Sequence, residues 1–281
     1  MGGFAGVETV AAVNDFVREA VRFYPNITQR DVRVAVVHPG PYLLPELGEE
    51  LGRYTHARMA ERGVEVLLNT RVTGINGSRT VLSNGMEIDA RTVVWTAGIS
   101  ANPLLDCIPC QRSRGRLVVN EFLQSPDVPN VWAVGDCASI TDLATAETYP
   151  PTAQHALREG TCVARNIAAE LLNKPKAAFS FSTIGLLAAI GRRTGVANVL
   201  GLKFSGFVAW WLWRTIYLAK LPRLEKKIRV ALDWTLDMLF AKDLVQFGTR
   251  RAPVISRRET LALMREEAPN EVGTIPVAAS L

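Results

Sequence analysis

Short apolar runs alternate with longer helical patterns along the first two thirds of the chain. A run of four to six apolar residues favours a buried strand, whereas apolar residues that recur every three or four positions favour a helix. These patterns predict strands at 32–37, 64–68, 92–95 and 131–134, and helices at 9–17, 45–61 and 152–172, while residues 186–190 form a further small, apolar run. Strand pairs are predicted around Ser83-Asn84-Gly85 and between 115–120 and 122–124. The alternation predicts an α/β fold.

The C-terminal third contains two helical patterns of different character. Residues 204–221 form an apolar run that is rich in aromatic residues, and Arg214 interrupts it at a cost of roughly 2.5–3.5 kcal/mol for a spanning helix. Residues 228–240 form an amphipathic pattern beside one narrow charged stripe. A helix packed on the protein's own core would also give this pattern. We favour a monotopic membrane anchor, because basic residues and tryptophans occur in both segments.

Composition and charge support this interpretation. The chain has 281 residues, of which 48% are hydrophobic and 21% charged, so it is globular or membrane-associated and not disordered. Residues 192–251 contain twelve Lys/Arg against four Asp/Glu, whereas the whole chain has a net charge of only +5. A basic, tryptophan-containing region favours an anionic membrane surface over nucleic acid as its partner.

The four cysteines indicate neither a disulfide framework nor a metal site. Cys107 and Cys110 have the spacing of a redox or zinc motif, but no second pair or nearby histidine completes a metal site. We therefore expect reduced thiols, a cytosolic protein and no bound metal. Residues 1–15 lack the pattern of a signal peptide.

Glycines at the start of the chain predict a nucleotide-binding turn. Gly2, Gly3 and Gly6 have the spacing of the end of a G-x-G-x-x-G fingerprint, in which a helix N-terminus receives a pyrophosphate. The strand at 32–37 follows at the distance that a βαβ unit requires. His38 stands where an acidic residue usually binds the NAD ribose, so the choice between NADH and NADPH stays open. A loop histidine without a ligand is the alternative for His38.

Two predicted strands end in small residues that would let a cofactor lie against the backbone. One ends at Ala97 and Gly98, and the other at Gly135 followed by Asp136, whose carboxylate can accept hydrogen bonds from hydroxyls. The second pattern resembles the flavin-binding motif of flavoenzymes with two dinucleotide folds, where the aspartate holds the FAD ribityl chain. An ordinary buried strand that ends in a Gly-Asp turn would look the same.

The motif Gly135-Asp136-Cys137-Ala138, followed by Pro150-Pro151-Thr152-Ala153-Gln154, resembles the type II (non-proton-pumping) NADH:quinone oxidoreductase family. The resemblance implies that Asp136 binds FAD and that Ala153 and Gln154 lie beside the isoalloxazine and the quinone. It also implies that Glu8 is the acidic residue that faces the flavin–quinone site, so Glu8 and Gln154 are the catalytic candidates. Arg158 stands where the family often has a second glutamine. His155 is predicted to be a surface histidine.

The resemblance implies two Rossmann-like dinucleotide-binding domains, the FAD domain incomplete, and a membrane-anchoring helical region. We expect an NAD(P)H-binding domain without its first strand, the C-terminal part of an FAD domain, a membrane-associated region and a flexible tail at 1–92, 93–175, 176–251 and 252–281. The family's N-terminal FAD fingerprint has no counterpart here, so the chain alone is expected to bind FAD poorly.

The implied function is electron transfer from NADH through FAD to a membrane quinone, at the cytoplasmic face of the cell membrane. The expected partners are the quinone and the lipid surface, with a homodimer as a further possibility and no nucleic acid. The alternatives are another FAD-dependent pyridine nucleotide reductase, such as a sulfide:quinone relative, and a truncated, non-catalytic membrane-binding flavoprotein.

Overall fold

The computed structural model describes residues 2–240 apart from 97, 99 and 184. Ala97, the end of the predicted membrane-associated region and the predicted tail at 252–281 therefore lie outside the described residues. Residues Met1–Trp234 form one compact unit, and a second unit begins at Thr235, of which the description covers the end of the last helix.

The first part of the chain builds a small parallel α/β unit. Helix α1 (Phe4–Ala20) precedes strand β1 (Val34–Val37), helix α2 (Glu49–Glu61) and strand β2 (Val64–Leu67). Strands β1 and β2 are parallel, with Val34 opposite Val64. Helix α1 buries Val7, Val10, Ala11 and Asn14, the spacing of one helical face. The predicted α/β class is confirmed.

An antiparallel sheet follows, built from β3 (Val72–Asn76), β4 (Arg79–Leu82) and β5 (Glu87–Asp89). The predicted hairpin at Ser83-Asn84-Gly85 joins β4 to β5, and Gly85 takes a φ of +82° there. Strand β3 was not predicted, because its half-exposed residues include a glycine and lack an apolar alternation.

The middle of the chain packs helix α3 against small strands and irregular loops. The elements are β6 (Arg112–Ser113), β7 (Arg116–Val118), β8 (Ala138–Ser139) and α3 (Ala153–Leu171). Their core contains Leu117, Leu123, Ala133 and Phe179. The predicted helix start holds, because Thr152 is the N-cap and its side chain accepts the His155 N–H.

Three strand predictions in this region are wrong. Residues 92–95 form no strand, and Val94 and Trp95 are 56% and 61% exposed. An apolar run needs a neighbouring strand for its backbone hydrogen bonds, and none of the described residues supplies one. Residues 131–134 make only a bridge, Trp132 to Gln124, because the partner segment turns at Leu123 with a φ of +72°. Strand β7 pairs with β6 and β8, not with 122–124.

The C-terminal third of the described chain adds an antiparallel meander and two helices. The meander is β9 (Gly185–Ala189), β10 (Gly195–Val199) and β11 (Leu202–Ser205), and α4 (Gly206–Lys220) and α5 (Leu224–Leu239) follow. Ala188, Ile190 and Val196 join the core of the parallel unit. A β-carbon on Gly195 would lie 2.8 Å from the Trp210 nitrogen, so α4 approaches the sheet closely at a glycine. None of the helices described has the length and apolarity needed to cross a membrane.

Candidate functional site

The predicted glycine turn stands at the N-terminus of α1. Gly3 is the N-cap, no side chain caps the helix, and its first turn contains no acidic residue. The Gly2 N–H donates to His38 Nδ1 at 3.1 Å, and the Gly2 carbonyl accepts the Leu44 N–H at 2.7 Å. The turn is thus fixed in place while the positive end of the helix stays available to an anion.

His38 supports this turn from the end of β1. Its side chain is 7% exposed, and burial lowers the pKa of the imidazole, which favours the neutral form. A β-carbon on Gly2 would lie 3.0 Å from His38 Cγ, so a larger residue at position 2 would displace the ring. Gly2, Gly3, Gly6 and His38 therefore belong to one structural unit. The role of His38 at a ribose stays a prediction.

Glu8 lies where α1, β9 and α4 meet. Its Oε1 accepts the Ala189 N–H at 3.0 Å. Burial raises the pKa of Glu8, and the Ala189 N–H and the indole of Trp213 oppose this rise. The indole N–H of Trp213 lies close enough to the Glu8 carboxylate to favour its charged form. Trp213 Nε1 is nevertheless buried without a well-formed hydrogen bond to any described residue. Burial, followed by the negative charge of Glu8, raises the pKa of Tyr217.

Gln154 lies in the first turn of α3, and its Nε2 donates to the Gly185 carbonyl at 3.4 Å. Gly185 begins β9, and Ala189, the partner of Glu8, ends it. Four residues of strand span about 13 Å. The two catalytic candidates are thus hydrogen-bonded to opposite ends of one short strand, and their attachment points are about 13 Å apart. Ala153, beside Gln154, is exposed.

The Gly135-Asp136 motif forms a tight 3-10 turn, Gly135–Cys137, and not the end of a regular strand. Gly135 takes a φ of +66°, where glycine is strongly favoured, and its N–H donates to Glu159 Oε2 at 2.6 Å. The Asp136 side chain is exposed beside α3. Its carboxylate is therefore accessible to the hydroxyls of a ligand. Gly98, at a φ of +85°, borders open space.

The prediction of a surface position for His155 is wrong. His155 is 2% exposed, its Nδ1 lies 2.7 Å from Thr152 Oγ1, and its ring packs against Tyr149 and Phe181. Burial, followed by the charge of Arg158, lowers the pKa of His155.

Arg158, which the family resemblance had pointed to, and Glu159, which the sequence patterns did not reveal, both lie next to the candidate site residues. Arg158 donates to the Gln154 carbonyl at 2.9 Å, and its guanidinium lies 4.0 Å from the ring centre of Phe181. Glu159 is 3% exposed and holds Gly135. The available signal was helical spacing, because His155, Glu159 and Asn166 recur at i, i+4 and i+11 on the buried face of α3.

Comparison with known proteins identifies similar chains. Residues 2–160 match the model of the pyridine nucleotide-disulphide oxidoreductase family, and residues 184–243 match the NDH2 C-terminal domain. The type II NADH:quinone oxidoreductase Ndh of Mycobacterium tuberculosis is 31% identical over 292 residues, which cover 99% of this chain and 62% of that protein. A probable NADH dehydrogenase of Dictyostelium discoideum is 29% identical over 250 residues, covering 88% of this chain and 54% of the relative.

Among solved structures, NDH2 from Plasmodium falciparum in complex with NADH has a similar fold. The TM-score is 0.78 at 18% identity, and the match covers 87% of this chain and 66% of that one. The chain spans 54% and 62% of the length of these two curated relatives.

Proposed function

Since the chain belongs to the pyridine nucleotide-disulphide oxidoreductase family, in its type II NADH dehydrogenase group, we propose that it takes part in electron transfer from NADH through FAD to a quinone. The observation that carries this proposal is the attachment of Glu8 and Gln154 to the two ends of β9. Strand β9 thus links α1, which contains Glu8, to α3, which contains Gln154, and α4 packs against the same strand.

The N-terminus of α1 fits the pyrophosphate of NADH. Its first-turn N–H groups are uncapped, and a β-carbon on Gly3 would have only Glu46 Oε1 within 4 Å, at 3.9 Å. The turn thus combines open space, a positive helix end and a position fixed by His38. We propose Gly2, Gly3 and Gly6 as the nucleotide contacts, with His38 near the ribose.

The turn at Gly135 fits the ribityl chain of FAD. The exposed Asp136 carboxylate would accept hydrogen bonds from its hydroxyls, and the positive end of α3 at Ala153 and Gln154 would favour an electron-rich ring edge. Ala97 and Gly98 are proposed as further backbone contacts. When bound, FAD would supply the two-electron chemistry that links NADH to a quinone.

Glu8 and Gln154 would serve the quinone. The side-chain amide of Gln154 can donate to a quinone carbonyl. The backbone carbonyl of Gln154 accepts a hydrogen bond from Arg158, which fixes the position of the residue. Reduction of a quinone to a quinol takes up protons, and a carboxyl with a raised pKa holds a proton near neutral pH more readily than an exposed one. Oε1 of Glu8 accepts the Ala189 N–H, which leaves Oε2 as the atom that can carry the proton.

The aromatic and amphipathic helices would bring this site to a membrane. Phe207 and Trp211 on α4 and Leu224, Ile228 and Leu232 on α5 are each more than half exposed. Arg214 lies about 5 Å from the ring centres of Trp210 and Trp234, so its charge is held between aromatic faces. We propose monotopic binding to anionic lipid at the cytoplasmic face, with a homodimer as the assembly.

Two variants and two ligands test the proposal together. Equilibrium dialysis of the purified chain should show that Asp136→Ala weakens FAD binding and spares NADH, because only the ribityl contact is removed. Gly3→Asp should weaken NADH binding and spare FAD. Unchanged FAD binding in Asp136→Ala, unchanged NADH binding in Gly3→Asp, or equal losses of both ligands in both variants, would contradict the two-site assignment.

A further inference from the structure

Helix α3 turns three polar side chains into the core, of which one contacts the N-cap of the helix itself and the other two bind separate loops. His155 contacts Thr152, Asn166 binds the backbone of Phe122 and Ala177, and Glu159 binds Gly135. Glu159 is the acidic member and is 3% exposed. Its burial raises the pKa of the carboxyl, and the negative charge of Asp136 adds to this rise. A buried acid costs stability unless it is hydrogen-bonded.

Glu159 binds Gly135, which directly precedes Asp136, the proposed flavin ligand. The Gly135 N–H donates to Glu159 Oε2 at 2.6 Å, and this hydrogen bond to the carboxylate opposes the rise in the pKa of Glu159. Gly135 also packs on α3, since an added β-carbon would lie 3.5 Å from that of Ala156. Glu159 therefore attaches the Gly135–Cys137 turn to α3, and Asp136 is exposed on this turn.

We propose that Glu159 is a positioning residue that holds the Gly135-Asp136 turn in the conformation in which Asp136 meets the flavin. The inference rests on the proposed function, because it assigns Asp136 to FAD. A leucine at position 159 would fill the space but would leave the partly buried Gly135 N–H without this acceptor. A glutamine would keep an acceptor oxygen at the same reach. The hydrogen-bond acceptor, and not the volume, is thus the feature that matters.

Selective labelling makes the Gly135 amide directly observable. Val-Gly occurs at only two places in the sequence, Val134-Gly135 and Val272-Gly273. Labelling valine with 13C at the carbonyl and glycine with 15N therefore leaves two correlated amide signals in an NMR spectrum. Glu159→Leu should move the Gly135 amide proton upfield and speed its hydrogen exchange, because the hydrogen bond to the carboxylate is lost. Glu159→Gln should leave exchange slow.

FAD binding to the full chain is the second readout. Loss of a hydrogen bond to a charged acceptor should raise the FAD dissociation constant about tenfold or more in Glu159→Leu. Glu159→Gln should stay within about threefold of the unmodified chain. Asn166→Leu is the matched control, because it removes a buried polar contact from the same helix face without touching Gly135. It should lower the melting temperature and leave the Gly135 amide signal unchanged.

The outcomes separate the inference from the proposed function. An unchanged Gly135 amide in Glu159→Leu, or equal losses of FAD affinity in Glu159→Leu and Asn166→Leu, would overturn the inference. The expected amide changes, together with an FAD affinity that Asp136→Ala leaves unchanged, would overturn the flavin assignment of Asp136 and, with it, the flavin role of Glu159. If Glu159→Leu does not fold, Glu159→Asp serves instead, since its shorter carboxylate should also release the Gly135 amide.

Discussion

Gly3 offers a way to separate nucleotide binding from folding. At its φ of −78° an L-residue fits without strain, and an added β-carbon meets only Glu46 Oε1 within 4 Å. Aspartate and asparagine are both good N-cap residues, so Gly3→Asn should keep or slightly raise the melting temperature, and repulsion from the Glu46 carboxylate should make the gain smaller in Gly3→Asp. The two side chains have nearly the same size and differ in charge.

A pyrophosphate at this helix end would meet a carboxylate in Gly3→Asp and a neutral amide in Gly3→Asn. Two unit charges about 4 Å apart repel by roughly 4 kcal/mol at an effective dielectric of about 20. Allowing for screening, about 2–4 kcal/mol corresponds to a loss of about 30- to 700-fold in NADH affinity.

Isothermal titration calorimetry with NADH measures the difference between the two variants directly. Gly3→Asp should lose affinity by this factor relative to Gly3→Asn, and the gap should narrow at high salt. Equal affinity in Gly3→Asp and Gly3→Asn would refute the placement of the pyrophosphate at α1.

Two further predictions concern Glu8 and the helical surface. Burial raises the pKa of Glu8, so the folded chain binds more protons than the unfolded one above the usual pKa of the group, and stability falls as pH rises through that window. Glutamine mimics the protonated acid, so the melting temperature of Glu8→Gln should rise relative to that of the unmodified chain as the pH increases from 4.5 to 7. A difference between the two melting temperatures that does not change with pH would count against the raised pKa of Glu8. Replacing Leu224, Ile228 and Leu232 by serine should abolish flotation with anionic vesicles. Serine substitutions at three exposed leucines elsewhere should leave flotation unchanged. Equal flotation of the two triple variants would exclude the α5 surface as the membrane-binding surface. The control positions are Leu104, Leu143 and Leu171.

Local chemistry made part of the fold predictable. Gly85 takes the positive φ that the hairpin needs, Thr152 caps α3, and the apolar spacing of α1 matches its buried face. These features depend on residues close in sequence. The apolar run at 92–95 was not predictable in the same way, because its burial depends on a pairing strand that apolarity cannot supply.

The site was harder to predict, because its partners are distant in sequence. Glu8 meets Ala189 and Trp213 across about two hundred residues, and nothing near Glu8 indicates this. Glu159 was not singled out from the sequence, because reading only the apolar residues of a helix hides a buried polar face. The spacing of His155, Glu159 and Asn166 becomes informative once α3 is known to pack inward with that face.

Turnover tests the central claim most directly. The purified chain, supplied with FAD and a soluble quinone, is mixed with NADH, and NADH oxidation is followed by absorbance. We expect oxidation that requires the quinone, exceeds the rate of free FAD without protein, and falls at least about tenfold in Gln154→Leu. A rate equal to that of free FAD, or one that Gln154→Leu leaves unchanged, would contradict a quinone site at the end of β9.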